Sequence, residues 1–129
     1  MMQIERLDHF VLTVADIERT VEFYTQVMGM RAETFAQGRI ALHFGQQKIN
    51  LHLKGHEIEP KAQYPVCGSA DLCFITQTDL QIVLQELQAK KVDIIEGIVP
   101  RTGALGKIQS IYFRDPDGNL IEVSQYITA

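Results

Sequence analysis

The chain is short of cysteine, of net positive charge and of long apolar runs, and each shortage excludes a class of protein. Two cysteines, Cys67 and Cys73, are too few for a disulfide framework, and their separation matches neither a redox pair nor paired metal ligands. They are expected to pack as reduced thiols. Lys and Arg are outnumbered by Asp and Glu, 12 against 16, for a net charge of −4 and a pI near 5.5. Nothing in that balance draws the whole molecule toward nucleic acid or an anionic membrane. No apolar stretch approaches membrane-spanning length, and "MMQIERLDHF" lacks the basic start and apolar core of a signal peptide. The expectation is a cytoplasmic protein with neither a nucleic-acid nor a membrane partner.

What is present suits a folded unit. The 129 residues, 46% apolar and 22% charged, are enough for a single domain with a sizeable core. Residues 9–14, "HFVLTV", alternate as a strand, with Phe10, Leu12 and Val14 on one face and His9, Val11 and Thr13 on the other. Asp16 suits a helix cap, and Ile17, Val21, Tyr24 and Met28 recur near every 3.6 residues, which predicts a helix over 16–28 with Gly29 at its end. Strands follow at 31–35, 40–44 and 48–53. Residues 55–69 hold two prolines, Pro60 and Pro65, and several charges, and read as a connector.

The pattern then begins again. A strand at 71–76 precedes a capping-box signature, Thr78 to Gln81, and a helical stripe of Leu80, Val83, Leu84 and Leu87. Strands at 94–99, 108–114 and 120–126 complete the second copy. One constant shift places Asp16 on Thr78 and His9 on Asp71, and a longer one places Asn50 on Glu122. The second copy carries about ten more residues before its last hairpin, assigned here to the loop at 97–107, "RTGALGK" included. The expected fold is therefore α+β: two tandem βαβββ modules, about 1–54 and 70–129, whose curved mixed sheets form a cup.

The turn "DPDG" at 115–118 leads into a strand carrying Glu122 between apolar neighbours. A carboxylate facing solvent on a sheet needs no function, and neither does a strand histidine. The repeat is what singles out His9, Asn50, Asp71 and Glu122. Equivalent positions on the more polar strand faces all hold groups able to ligate or hydrogen-bond, a donor set suited to zinc, nickel, iron or manganese. His52 shares a strand face with Asn50 and joins them. Arg101 and Lys107 flank the glycines of the 97–107 loop, where they suit a carboxylate or phosphate. Tyr112 shares a strand face with Ser110 and Arg114. His43 and His56 are treated as surface residues.

"LDHFVLTVADIERTVEFYTQVMGM" and "IYFRDPDGNLIEV" resemble the opening and closing motifs of the vicinal oxygen chelate superfamily, which includes glyoxalase I, fosfomycin-resistance proteins, extradiol dioxygenases and bleomycin-resistance proteins. The resemblance spans both modules. Through "INLH", "PRTG" and "SIYFRDP" it is strongest to the glyoxalase domain-containing protein 5 group. It implies one divalent metal ion held by His9 and Glu122, with His52 and Asp71 as further ligands. The family's second module usually opens with a histidine where this chain has Asp71, and glyoxalase I has a glutamate where this chain has Asn50. A glyoxalase-like lyase or isomerase is implied, acting on a small substrate with neighbouring oxygens. Glu122 and Asp71 would be its catalytic carboxylates, and Arg101, Lys107, Tyr112 and Asn50 its substrate contacts. A non-catalytic small-molecule binder and an extradiol-type ring-cleaving dioxygenase are the alternatives. A homodimer is expected, since half-barrel modules expose strand edges.

Overall fold

The computed structural model describes residues 1–128. The chain forms two compact units, Met1–Cys67 and Gly68–Ala129, each a βαβββ module, as the internal repeat predicts. The first holds β1 (His9–Val14), α1 (Ile17–Gln26), β2 (Arg31–Phe35), β3 (Arg39–Phe44) and β4 (Gln47–Leu53). The second holds β5 (Asp71–Ile75), α2 (Leu80–Ala89), β6 (Glu96–Thr102), β7 (Lys107–Arg114) and β8 (Leu120–Tyr126). Strand order is β1-β4-β3-β2 in one sheet and β5-β8-β7-β6 in the other. In each, the first and last strands of the module pair in parallel and the remaining pairs are antiparallel, which makes both sheets mixed. The register bears out the two shifts: Val11 lies opposite Asn50 and Cys73 opposite Glu122.

In the first unit the apolar strand residues form one buried face. Leu12, Val14, Leu42, Ile49 and Leu51 are all buried, and α1 lies against β2, β3 and β4. That helix begins where Asp16 accepts a hydrogen bond from Arg19 N at 3.0 Å. It ends earlier than its apolar periodicity suggests, because Gly29 adopts φ +72° and Met30 N reaches back to the Tyr24 carbonyl at 2.9 Å. In the second unit Ile111, Phe113, Ile121 and Val123 make the equivalent core, with α2 against β7.

Three local expectations are corrected. Thr78 does not cap α2: Asp79 does, accepting from Gln81 N at 2.8 Å, while Thr78 N is turned back to Thr76 Oγ1 at 3.1 Å. The extra residues of the second module do not form a long loop. They lengthen β6 and β7 to 7 and 8 residues, against 5 and 6 in β2 and β3, and extend the flanking turns. Arg101 therefore lies in β6 and Lys107 opens β7, with Thr102 and Lys107 paired across the hairpin. A glycine-rich stretch looks like loop in sequence, yet a hairpin needs only a few of its residues for the turn. Cys73, finally, is exposed and does not pack in the core.

The "DPDGN" turn is built on its acids. Asp115 Oδ1 accepts from Asp117 N at 2.9 Å and Asn119 N at 3.0 Å, and its Oδ2 takes Asn119 Nδ2 at 2.8 Å. Asn119 is 1% exposed and accepts in turn from Ala70 N at 2.9 Å, which ties the turn to the start of β5.

Candidate functional site

Period-two alternation decides which side chains share a face. In the second sheet the register puts Cys73, Ser110, Tyr112, Glu122 and Ser124 on the face opposite the core. They form one hydrogen-bonded group. Ser110 Oγ donates to Glu122 Oε2 at 2.5 Å, Ser124 Oγ donates to the same oxygen at 3.3 Å, and the two hydroxyls lie 2.7 Å apart. Both serines are fully buried. Cys73 Sγ stands 3.3 Å from Ser124 Oγ. Partial burial raises the thiol pKa, and the charge of Glu122 adds to the rise. Asp71 shares this face, one strand over, and is exposed.

Arg101 reaches the same face through a β-bulge. Before the irregularity Glu96 opposes Tyr112 and Gly97 opposes Ile111; after it Val99 opposes Ser110 and Arg101 opposes Ile108. One extra residue inverts the alternation, so Arg101 points with Tyr112 and not toward the core side. Its Nε donates to the Tyr112 hydroxyl at 3.0 Å, NH1 donates to the Pro100 carbonyl at 2.9 Å, and NH2 pairs with Glu96 at 3.3 Å. Burial raises the Tyr112 pKa; Arg101 opposes the rise and Glu122 reinforces it. At neutral pH the phenol therefore keeps its proton. Gly97 permits the bulge, since at φ +149° a Cβ would meet Ile111 Cα at 2.9 Å.

In the first sheet the matching face carries His9, Asn50, His52, Arg39, His43 and Lys48. His9 Nδ1 lies 2.8 Å from Asp8 Oδ2, and that bond chiefly lowers the Asp8 pKa. Asn50 and His52 are each 5% exposed, and Asn50 Oδ1 and His52 Nε2 have no hydrogen-bond partner among the described residues. Burial, reinforced by Arg39, lowers the His52 pKa. Lys107 stands apart from the Glu122 group, at the exposed start of β7. Ser124, Asp8, Arg39 and Lys48 escaped the sequence reading, although period two from Glu122 and Asn50 points to Ser124 and Lys48.

The donors fit a divalent ion one by one. An imidazole whose Nδ1 is held by a carboxylate presents Nε2 as a metal ligand does, and a carboxylate fixed through one oxygen keeps its direction. The buried Asn50 Oδ1 is a further oxygen donor. Among the described residues, however, no three His, Cys, Asp or Glu side chains gather into a metal cluster.

Comparisons with known proteins accord with this architecture. A family model described as the Glyoxalase/Bleomycin resistance protein/Dioxygenase superfamily matches residues 6–123. A virulence protein of Salmonella typhimurium is 59% identical over 98% of this chain and 88% of its own, and its crystal structure superposes with a TM-score of 0.97, covering 98% of this chain and 100% of that one. A glyoxalase domain-containing protein of Mycosarcoma maydis is 51% identical over 97% of this chain and 70% of its own. A metallothiol transferase of Staphylococcus epidermidis is 26% identical over 93% and 83%. No helix among the described residues is long and apolar enough to cross a membrane.

Proposed function

Since the chain belongs to the glyoxalase/bleomycin resistance protein/dioxygenase superfamily, we propose that it is a divalent-metal-dependent lyase or isomerase of glyoxalase type, acting on a small substrate with neighbouring oxygens. The observation that carries this reading is Glu122, a half-buried strand carboxylate whose Oε2 is held by the hydroxyls of Ser110 and Ser124. A carboxylate needed only for solubility has no use for two buried donors; one that must keep a fixed direction does.

Glu122 is the carboxylate ligand of this proposal and His9 the imidazole ligand, each argued from its own unit, with His52 and Asp71 as further candidates. The metal is zinc, nickel, iron or manganese, and the likeness to a staphylococcal protein named a metallothiol transferase supports the choice of a metal enzyme. When bound, such an ion polarises a carbonyl and stabilises an enolate-like oxygen. The chain's own part is to bind, orient and move a proton. Glu122 takes the proton next to the carbonyl, with Asp71 as the second base. Tyr112 and Arg101 orient the substrate, with Asn50 and Lys107 as further contacts. A homodimer is also proposed, because β1, β2, β5 and β6 each border a sheet on one side only.

A second reading, a small-molecule binder without turnover, is favoured by one observation: Asn50 is a neutral amide at the place equivalent to Glu122, and its buried oxygen awaits a donor. Metal analysis and calorimetry on untagged protein separate the two. The enzyme reading expects His9→Ala and Glu122→Gln each to lower divalent-metal affinity by more than tenfold. Unchanged affinity in both variants, or no binding by the parent, leaves the binder.

A further inference from the structure

The polar face of the first sheet gathers two cations, Arg39 and Lys48, on one aromatic ring. Lys48 Nζ lies 3.9 Å from the centre of the Phe35 ring, and the Arg39 guanidinium carbon lies 4.9 Å from the same centre. Two cations on one ring repel each other, and the cation–π attraction, about 0.5–1 kcal/mol each at exposed sites, is a modest offset. The nearby carboxylates are engaged elsewhere. Asp8 is held by His9 and Arg6 and only senses the charge of Lys48 without pairing with it, Glu33 by Arg31 and His43, and Glu57 by Gly55 N and Lys61. Among the described residues neither Arg39 nor Lys48 forms an ion pair.

A second observation comes from neutral groups on that face. Asn50 and His52 are both more than nine-tenths buried, and Asn50 Oδ1, His52 Nε2 and Arg39 Nε all lack a hydrogen-bond partner. A buried polar atom left unpaired costs about 1–3 kcal/mol, so three on one face mark a place that a ligand completes. A cavity of about 220 Å³ opens beside Arg39 and His52, with Gln37 and His56 on its wall. Phe35, Lys48 and Asn50 are not on that wall, so the cavity adjoins the Arg39–His52 end of the face and does not enclose the whole corner.

We infer that the Arg39–Lys48–Phe35 corner of the first sheet is a binding site for the oxyanion group of a small organic acid, a carboxylate or a phosphate, whose remaining polar atoms meet Asn50 and His52. The two cations neutralise the anion, and Arg39 offers it a planar pair of N–H donors. The site shares Asn50 and His52 with the function proposed above and adds an acidic group to its substrate; its anion contacts, Arg39 and Lys48, have no part in the metal ligation assigned to His9 and Glu122.

The test is an NMR titration of ¹⁵N-labelled, EDTA-treated full-length protein with inorganic phosphate in one series and glycolate in another, at constant ionic strength. Saturable shifts at Phe35, Arg39, Lys48 and His52 in either series are expected, and the tighter ligand identifies the anionic group. Arg39→Gln and Lys48→Gln should each weaken that binding at least tenfold while keeping a folded spectrum, and Lys91→Gln in the other unit should change it less than twofold. The absence of saturation with both anions, or unaltered binding in both site variants, overturns the inference. Because metal is removed throughout, the result is separate from the ligand roles of His9 and Glu122.

Discussion

Ser110 on β7 donates its hydroxyl hydrogen to Glu122 Oε2 on β8 at 2.5 Å, a diagonal contact between strands in which Ser110 directly opposes Ser124 and Tyr112 directly opposes Glu122. The equivalent place in the first unit is furnished differently. There Asn50 opposes Ala41, and no hydroxyl answers the amide oxygen. The repeat has thus kept two backbones alike while one module supports a charged group and the other leaves a neutral one unsupported.

Removing that support should be measurable. Ser110→Ala takes a donor from a half-buried carboxylate and is expected to destabilise the fold by about 1.5–3 kcal/mol, the range for hydrogen bonds to charged groups. In the Glu122→Gln background the same change should cost less than half as much, because the charge is gone. Urea denaturation of the four proteins of this cycle checks it; equal costs in both backgrounds would mean that the contact carries no charge-dependent energy.

Gly97→Ala should destabilise by more than about 2 kcal/mol, through the positive φ and the approach to Ile111. If the protein still folds, the bulge should shift and release Arg101 from Tyr112. The Tyr112 pKa, read by ultraviolet titration, would then rise further, since the Arg101 hydrogen bond is what restrains it. An alanine variant as stable as the parent would contradict the close packing at β6.

Much of this was legible in the sequence because the repeat and the period-two alternation are both carried by side-chain type. The pairing of Asn50 with Glu122, the polar strand faces and the acid-built turn at Asp115 all follow from those patterns. Arg101 shows where legibility ends. Which face it occupies depends on a bulge of one residue, and inserted residues in a strand look like those of a loop. The Asp8–His9 bond and the meeting of Arg39 and Lys48 on Phe35 depend on rotamers and on reach across strands, which alternation does not encode.

Cys73 should behave as an unreactive thiol although it is exposed. Its raised pKa keeps the thiolate scarce near neutrality, so alkylation by iodoacetamide should have its pH midpoint above the usual thiol range. Glu122→Gln removes a neighbouring negative charge and should move that midpoint down. A wild-type midpoint at or below that of a free cysteine would show that the thiol is not shielded as described.

The last prediction concerns acid stability and rests on His52. Its imidazole is 5% exposed with Nε2 unpartnered, and burial, with Arg39 nearby, depresses its pKa below the 6.5 of a free histidine. The unfolded chain therefore takes up a proton at a higher pH than the folded one. Stability is complete above about pH 6.5 and declines as pH falls from there toward the lower folded value, by at most about 1.4 kcal/mol per pH unit. The carboxylates with depressed pKa, Asp8 and Glu57, also lose stability in acid, but only below the carboxylate range near pH 4. The interval from pH 7 to 5 therefore isolates histidine. Urea midpoints of the EDTA-treated protein should fall across that interval, and His52→Gln should flatten the fall even though it is less stable at pH 7. An identical slope in the variant would mean that His52 takes up a proton in the folded state as readily as in the unfolded one.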